Sequence, residues 1–366
     1  MKVPYLDLPA QFKDNRNIWA AIRKILNNGQ FVLGPAVERF EREFAGFCRV
    51  KHAVAVANGT DAIFLALKTL GVGEGDEVVT VPNTFLSTVG AIVQAGAVPR
   101  LVDVGDDYNI DPGQIEDAVT AKTRAIIPVH LTGNPARMEE INKIARKHKL
   151  SVVEDAAQAV DAAIDGKKVG SFGDLAAFSL HPLKNLNTCG DGGVITTDSR
   201  ELARKLFLWR NHGLKNRDEA AFFAINSRLD SIKAAVAALQ IPGISEVTGK
   251  RNRLARIYDE GLAGLAPKVV IPPRRDNVRQ AFHTYVVQVE ERTRLIQYLE
   301  EKGIGTKVHY PIPVHLMAAA RKYGYRRGDF PVAEAQAGKI LSLPVHQHLA
   351  EEQVGYVVSC LKDFFS

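Results

Sequence analysis

Cysteine is scarce in this chain of 366 residues, which contains only Cys48, Cys189 and Cys360. The number is odd, and no two cysteines show the two-residue spacing that is typical of zinc knuckles and redox motifs. This scarcity argues against a disulfide framework and is typical of proteins in a reducing compartment. It also gives no reason to expect a metal site.

Long hydrophobic runs are absent as well. No stretch of about 18 apolar residues, the length needed to span a bilayer, occurs in the sequence. The first residues carry Asp7 and Asp14 where a secretory signal would be apolar. We therefore expect a cytoplasmic protein with no membrane partner.

The chain also has no long basic arm. Its net charge of +6 comes from short clusters of lysine and arginine spread along the sequence. We find no helix-turn-helix signature and no basic stretch interleaved with aromatic residues, so nucleic acid is not an expected partner. A mildly positive field suits small anionic ligands such as phosphorylated substrates.

What the sequence does contain is an alternation of short β-branched runs and helical patterns. The predicted strands are the seven apolar runs at 53–57, 76–81, 98–104, 124–131, 150–156, 174–180 and 192–197. Such runs, separated by amphipathic helices, indicate a mostly parallel seven-stranded sheet that is flanked by helices on both faces. We predict a large α/β domain over 1–245, which includes the N-terminal segment, and a smaller C-terminal α+β domain over 246–366.

Two motifs in the predicted large domain suit the binding of a charged ligand. In ANGTDAIF (57–64) a strand gives way to a helix, and the free N–H groups of a helix N-terminus attract phosphate. In VVEDAAQA (152–159) two acids follow a buried strand, where a carboxylate is costly unless it faces a cation such as a protonated pyridine nitrogen. Taken singly, the first motif is also compatible with an ordinary strand-turn-helix connection, and the second with a helix cap.

A third motif, FSLHPLKNLNTCGDGG (178–193), contains a single lysine, Lys184, just before a glycine-rich turn. Most lysines are solvated, but a buried lysine with a lowered pKa is a nucleophile for carbonyl carbon. A phosphate site, a carboxylate for a ring nitrogen and an amine for a Schiff base are together what pyridoxal 5'-phosphate requires of a protein. The three motifs therefore predict that cofactor jointly, although none does so alone.

The chain resembles the DegT/DnrJ/EryC1/StrS family of pyridoxal phosphate-dependent nucleotide-sugar aminotransferases, which have the fold-type-I aminotransferase architecture. The resemblance extends over nearly the whole sequence. It includes GQFVLGPAVERFEREFAGFC (29–48), PNTF (82–85), VEDAAQA (153–159), FSLHPLKNLNTCGDGGVITT (178–197), NSRLDSIKAAVAALQ (226–240) and VHYPIPVHL (308–316). It implies an enzyme that moves an amino group, with L-glutamate as the expected donor, to a keto sugar linked to a nucleotide.

The resemblance also implies roles for individual residues. Lys184 would form the internal aldimine and shuttle a proton while the cofactor cycles between pyridoxal and pyridoxamine 5'-phosphate. The implied cofactor contacts are Gly59, Thr60 and Ser179 at the phosphate, Phe85 stacked on the ring, Asp155 at the ring nitrogen and Gln158 at the phenolic oxygen.

Asn226 matches a family position that reaches the phosphate in the neighbouring subunit, which implies a homodimer with shared active sites. Many relatives have Gly-Tyr-Asn at this point, whereas this chain has Ala224 and Ile225 before Asn226. The expected substrate contacts are His309, Tyr310 and His315 of the HYPIPVH segment, although histidines there are as often structural. The sequence HPLKNLN (181–187) resembles the branch of the family that acts on 3-keto hexoses.

Two alternatives remain at this point. Some members of the family have histidine in place of Lys184 and resemble sugar dehydratases, but histidine cannot form the aldimine. The other is a non-catalytic regulator that retains the fold, for which the sequence provides no recognition helix and no concentrated basic face.

Overall fold

The computed structural model describes residues 1–366 and contains thirteen strands and thirteen α-helices. The strands are β1 (His52–Val56), β2 (Glu77–Thr80), β3 (Val98–Leu101), β4 (Thr123–Ile126), β5 (Ser151–Asp155), β6 (Ala163–Ile164), β7 (Lys167–Lys168), β8 (Leu175–Ser179), β9 (Gly193–Thr197), β10 (Val269–Val270), β11 (Val278–Arg279), β12 (Tyr285–Val289) and β13 (Ile340–Leu343). The helices are α1 (Leu8–Gln11), α2 (Arg16–Asn28), α3 (Pro35–Cys48), α4 (Gly59–Thr69), α5 (Leu86–Gln94), α6 (Ile115–Ala118), α7 (Met138–His148), α8 (Arg200–Trp209), α9 (Ser231–Gln240), α10 (Ile244–Leu262), α11 (Arg292–Glu301), α12 (Pro331–Lys339) and α13 (Glu351–Phe365).

The main sheet has seven strands in the order β1-β9-β8-β5-β4-β2-β3. The pairs β2 with β3, β2 with β4, β4 with β5 and β5 with β8 are parallel, and β9 runs antiparallel to both of its neighbours. These are the seven strands that the apolar runs predict, so the predicted mixed, mostly parallel sheet is confirmed. Parallel strands place their carboxyl ends at one edge of the sheet, which is where open α/β sheets bind ligands.

Both faces of this sheet are covered, as its continuous apolar strands require. Strand β1 shows the alternation directly. Ala53 and Ala55 face a core formed with α3 and α9, whereas Val54 and Val56 face a core formed with α4, α5 and α8. Side chains in successive positions of a strand point to opposite faces, and each fully buried aliphatic or aromatic side chain contributes about 1.5–3 kcal/mol.

The C-terminal residues build a second core around the antiparallel sheet β10-β12-β13 and the helices α10 and α13. Strand β13 follows directly on α12 and has no counterpart among the predicted elements. Val3, which the sequence analysis assigns to the large domain, is buried in this second core and forms a parallel bridge with Ile304. The first residues of the chain therefore pack on the C-terminal unit, while α2 packs against α9.

Strand β11 also crosses the predicted domain boundary. Although it lies within 246–366, it pairs with β6 of the hairpin β6-β7 in the large unit. The two units are thus joined by backbone hydrogen bonds as well as by the chain connection. No helix of the structure is both long and apolar enough to cross a membrane.

Candidate active site

A cavity of about 670 Å³ lies at the carboxyl edge of the main sheet. The ends of five strands, β1, β2, β4, β5 and β8, or the loops that follow them contribute to its wall, and residues from the C-terminal unit close one side. The residues predicted from the motifs that line it are Gly59, Thr60, Phe85, Asp155, Gln158, Ser179, Lys184, His309 and Tyr310. Asn226 and His315 do not line it.

Lys184, in the loop after β8, and Asp155, at the end of the neighbouring strand β5, line the same cavity. Burial lowers the pKa of Lys184 to about 8, and the charge of Asp155 opposes this shift. The loop that carries the lysine is fixed by Asn187, whose Nδ2 donates to the carbonyl oxygens of Pro182 at 2.9 Å and of Lys184 at 3.0 Å. A lysine in this setting has a far larger fraction of free amine at neutral pH than a solvated one.

Asp155 lies at the end of β5 and is buried. Its Oδ2 accepts a hydrogen bond from Thr88 Oγ1 at 2.7 Å, and its Oδ1 accepts one from the Ala157 N–H at 3.2 Å. Burial raises the pKa of Asp155, and these hydrogen bonds and the nearby Lys184 lower it in part. A buried carboxylate that opens onto a cavity is suited to holding a cationic ligand atom.

Glu154, the other acid of the VVEDAAQA motif, points to the opposite side of the strand. Its carboxylate accepts N–H groups of Gly170, Phe172 and Gly173 at 3.0, 2.7 and 2.9 Å. It also lies 3.0 Å from His130 Nε2. The His130 Nδ1 accepts the Ala136 N–H, so the ring proton is on Nε2 and is donated to Glu154. Glu154 therefore fixes the backbone behind the site and takes no part in the cavity.

The cavity floor contains the N-terminus of α4. The Asn58 side chain caps this helix by accepting the Asp61 N–H at 2.8 Å, and the N–H groups of Gly59 and Thr60 at the start of the helix remain free. Gly59 is required there, because a Cβ at this position would lie 2.8 Å from the Cβ of Ser179. Thr60 Oγ1 donates to Ser87 Oγ at 2.8 Å, so the Ser87 hydroxyl hydrogen remains free for a ligand. Such an arrangement binds phosphate.

Gln158 and Phe85 flank the middle of the cavity. Gln158 Oε1 accepts the Thr132 N–H at 2.8 Å, and this fixes its amide so that Nε2 faces Tyr310 Oη at 3.1 Å. The second Nε2 hydrogen is available to a ligand acceptor. Phe85 is 52% exposed, and its ring centroid lies 5.6 Å from that of Tyr310. An exposed ring on a cavity wall suits stacking on a flat heterocycle.

His309 and Tyr310 bring the C-terminal unit to the cavity. His309 Nδ1 lies 2.9 Å from Ser342 Oγ, and burial lowers the pKa of His309 to about 4. Burial raises the pKa of Tyr310 to about 12, so its hydroxyl stays protonated. Both side chains are neutral hydrogen-bonding groups at neutral pH, which suits the recognition of sugar hydroxyls.

His315 takes a different position from the one expected. It is 2% exposed, its Nε2 lies 2.9 Å from Glu334 Oε1, and its ring packs edge-on against Phe330. These contacts make it part of the packing beneath the HYPIPVH segment and not a cavity residue. Asn226 is exposed on a segment outside the cavity, bridged to Asn211.

Several residues of the site were not predicted from the sequence. Thr88 supports Asp155, and His283 lines the cavity with its Nδ1 3.4 Å from Asn185 Oδ1. Burial, followed by the charge of Lys184, holds the pKa of His283 well below its usual value. The only sequence signal for His283 is its place at the start of the alternating run HTYVVQVE, and for Thr88 its place one turn after the PNTF motif.

The profile of the DegT/DnrJ/EryC1/StrS aminotransferase family matches residues 13–362. The chain is 42% identical to a protein named pleiotropic regulatory protein from Geobacillus stearothermophilus, and the match covers 100% of this chain and 99% of that protein. It is also 40% identical to dTDP-3-amino-3,4,6-trideoxy-α-D-glucose transaminase from Streptomyces venezuelae, over 99% of this chain and 96% of that protein.

Solved structures that are similar over the whole of this chain include the following two. DesV from S. venezuelae in complex with a ketimine intermediate superposes with a TM-score of 0.97 at 40% identity and is covered to 99%. NtdA from Bacillus subtilis with bound cofactor PMP superposes with a TM-score of 0.93 at 30% identity and is covered to 85%.

Proposed function

Because the chain belongs to the DegT/DnrJ/EryC1/StrS aminotransferase family, we propose that it transfers an amino group from L-glutamate to the keto carbon of a nucleotide-linked hexose. Its cofactor is pyridoxal 5'-phosphate, alternating with the pyridoxamine form. The observation that carries the proposal is the convergence of Lys184, Asp155 and the N-terminus of α4 on one cavity. The amino sugars named in the relatives are consistent with amination at C3.

The residues of the cavity fit this cofactor in three respects. The free N–H groups of the first turn of α4 and the small Gly59 beside Ser179 suit a phosphate that approaches the backbone closely. Asp155 is a carboxylate whose pKa is raised by burial, so its ionised form lacks a full partner in the protein and would be stabilised by a cation in the cavity. Lys184 is an amine whose pKa burial lowers to about 8.

When bound, pyridoxal phosphate supplies an electron sink that stabilises negative charge on the carbon next to the transferred nitrogen. In the proposed reaction Asp155 would face the ring nitrogen and favour its protonated form, and Gln158 Nε2 would donate to the phenolic oxygen. Phe85 would cover one face of the ring. Lys184 Nζ would hold the cofactor and, as a free amine, would carry the proton at the reacting carbon.

We assign the sugar to the side of the cavity formed by His309 and Tyr310. Both are neutral and partly buried, and both are attached to the C-terminal unit. A ligand that contacts them and Lys184 together bridges the two units. Water is then excluded from the reacting carbon, which strengthens the electrostatic effect of Asp155.

The proposal is tested by absorbance and by a reverse assay. The purified protein with pyridoxal phosphate should develop a visible band that L-glutamate, and not L-lysine, converts to the amine form. A panel of dTDP- and UDP-linked 3-amino and 4-amino sugars with 2-oxoglutarate should then yield glutamate and one keto sugar. A protein that stays colourless would favour the regulator, and loss of a sugar hydroxyl without glutamate formation would favour a dehydratase.

The pKa of Lys184 predicts a pH dependence for cofactor attachment. Only the free amine attacks the cofactor aldehyde, so the second-order rate of attachment to apoprotein should rise with pH and level off, with a midpoint near the pKa of about 8. Because Asp155 raises this pKa, Asp155→Asn should move the midpoint to lower pH. Stopped-flow absorbance measures the rate, and Nα-acetyl-lysine serves as the control for the titration of the cofactor itself. A midpoint near the ordinary lysine value of about 10.4 would contradict the assignment.

We further propose a homodimer with shared active sites. Phe85 and Leu183, which line the cavity, are exposed, as is Leu86 next to Phe85, and Phe223 is 99% exposed close in sequence to Asn226. Large exposed apolar side chains of this kind are typical of a surface that another protein covers.

Asn226 provides a test of the shared sites. Asn226→Asp should repel a phosphate in the partner's cavity and inactivate the dimer, as Lys184→Ala does. Unfolding and refolding an equal mixture of the two variants should restore about one quarter of wild-type activity, because half of the dimers are mixed and each has one intact site. Recovery of no activity would place Asn226 in its own subunit's site, and an Asn226→Asp protein that is active by itself would place Asn226 outside any site.

A further inference from the structure

Two buried threonine hydroxyls form a hydrogen-bond chain that ends at Asp155. Thr88 Oγ1 lies 2.7 Å from Asp155 Oδ2, and Thr84 Oγ1 lies 2.7 Å from Thr88 Oγ1. Thr88 has no exposed surface and Thr84 is 3% exposed. Thr88 does not line the cavity, so it contacts the carboxylate from the protein side.

The hydrogen positions in this hydrogen-bond chain follow from which groups can donate and which can only accept. An ionised carboxylate only accepts, so the single hydroxyl hydrogen of Thr88 is donated to Asp155. The Thr88 oxygen then accepts the hydroxyl hydrogen of Thr84. Such successive donors polarise one another, and a hydrogen bond to a charged group is stronger than one between neutral groups.

This hydrogen-bond chain stabilises the ionised form of Asp155, which burial disfavours. Burial is the largest influence on the pKa of Asp155 and raises it, and the Thr88 hydrogen bond is the largest influence that lowers it. The only other hydrogen bond to this carboxylate comes from the Ala157 N–H at 3.2 Å. Thr88 is therefore the main polar support that the protein itself gives to the ionised form.

The start of helix α5 places these groups. Phe85 is the N-cap residue of this helix, Thr84 precedes the helix and Thr88 lies in its first turn, and the hydroxyls of the two threonines meet at 2.7 Å. The same short segment thus presents an aromatic ring to the cavity and a hydroxyl to the carboxylate beneath it. The start of one helix therefore positions both the Phe85 ring and the Asp155 carboxylate.

We propose that Thr88, supported by Thr84, is a positioning residue that holds Asp155 ionised and correctly oriented for the ring nitrogen of the cofactor. This inference rests on the proposed function, because it requires a cofactor with a nitrogen at that place. It assigns Thr88 a role that acts through Asp155 and not through contact with substrate or cofactor.

The test compares two cofactors in Thr88→Val, which keeps the branched shape and removes the hydroxyl. The apoprotein is titrated with pyridoxal phosphate and with its carbocyclic analogue, in which carbon replaces the ring nitrogen, and the dissociation constants are measured by fluorescence quenching. Thr88→Val should weaken binding of pyridoxal phosphate by about 10- to 100-fold, the equivalent of one hydrogen bond to a charge. Binding of the analogue should change by less than about threefold, and Thr88→Ser should restore the binding of pyridoxal phosphate.

Thr80→Val is the matched control, because Thr80 is another fully buried threonine whose hydroxyl donates, at 2.9 Å, to the carbonyl oxygen of Ile127 and not to the site. Thr84→Val is the substitute if Thr88→Val does not fold. It should weaken the binding of pyridoxal phosphate relative to the analogue, but by less than Thr88→Val would. Equal weakening of both cofactors, or no weakening of either, would overturn this inference alone. A wild-type protein that binds neither cofactor would overturn the proposed function together with it.

Discussion

Lys184→Ala should lose the visible absorbance of the lysine-bound cofactor and fall in turnover by at least about a thousandfold, which is within the range attributed to a positioned proton-transfer group. The loss has two physical causes. The variant has no amine to attach the cofactor, and no base to move the proton at the reacting carbon. Absorbance spectra and the reverse assay with 2-oxoglutarate measure the two effects separately.

Lys215→Ala is the matched control for this prediction. Lys215 is exposed and pairs only with Glu219, four residues away on the surface, so its loss should change neither absorbance nor turnover. Circular dichroism should show that both variants are folded. A Lys184→Ala protein that retains the visible band, or more than about a tenth of the turnover, would remove Lys184 from the reaction.

Much of the main sheet could be predicted from the sequence because its strands are buried on both faces. Runs such as AVAVA and LAAFSL are continuously apolar, and the helices between them are amphipathic, so both the strands and their parallel arrangement follow from the pattern. The strands β6, β7 and β11 are only two residues long, too short to form a recognisable apolar run, and β11 pairs with the β6-β7 hairpin from a distant part of the sequence. No local pattern indicates that β11 returns to the large unit, or that Val3 packs on the C-terminal one.

The site could be predicted where its residues lie in contiguous motifs at strand ends, as do Asp155, Gln158 and Lys184. It could not be predicted where contacts depend on the tertiary fold. His309 and His315 are both histidines of the HYPIPVH segment, and the sequence does not distinguish them. In the fold, however, His315 is enclosed by Glu334 and Phe330. Thr88 lies 67 residues before the carboxylate that it contacts, and nothing in its local sequence indicates this partner.

The adjacent acids Glu154 and Asp155 show why a motif does not assign roles by itself. Both are buried at the end of one strand, but successive side chains face opposite sides of the sheet. Glu154 meets four donors from the protein, whereas Asp155 meets two and opens onto the cavity. One acid is therefore satisfied by the fold, and the other is left for a ligand.

This difference predicts opposite results for two conservative substitutions. Asp155→Asn should lower turnover by at least about a hundredfold, since it removes the charge that holds the ring proton, while the unfolding free energy of the apoprotein changes little. Glu154→Gln should leave the cavity groups in place but lower the unfolding free energy of the apoprotein by about 1–3 kcal/mol for each buried donor left without an acceptor. Urea unfolding with and without pyridoxal phosphate, together with the reverse assay, measures both properties.

The acid dependence of stability provides a second distinction between the two variants. Although burial raises the pKa of Glu154, its hydrogen bonds with His130 and the backbone hold it below the ordinary value of 4.5. Its contribution to stability is therefore complete above about pH 4.5 and is lost as the pH falls through the lower folded value, so Glu154→Gln should flatten the acid limb of the stability profile. Asp155→Asn should not flatten that limb, because burial raises the pKa of Asp155. If both variants lost stability alike and retained turnover, Asp155 would be a second structural acid, and the cavity would lack the one charge that distinguishes a pyridine-binding site from a general phosphate pocket.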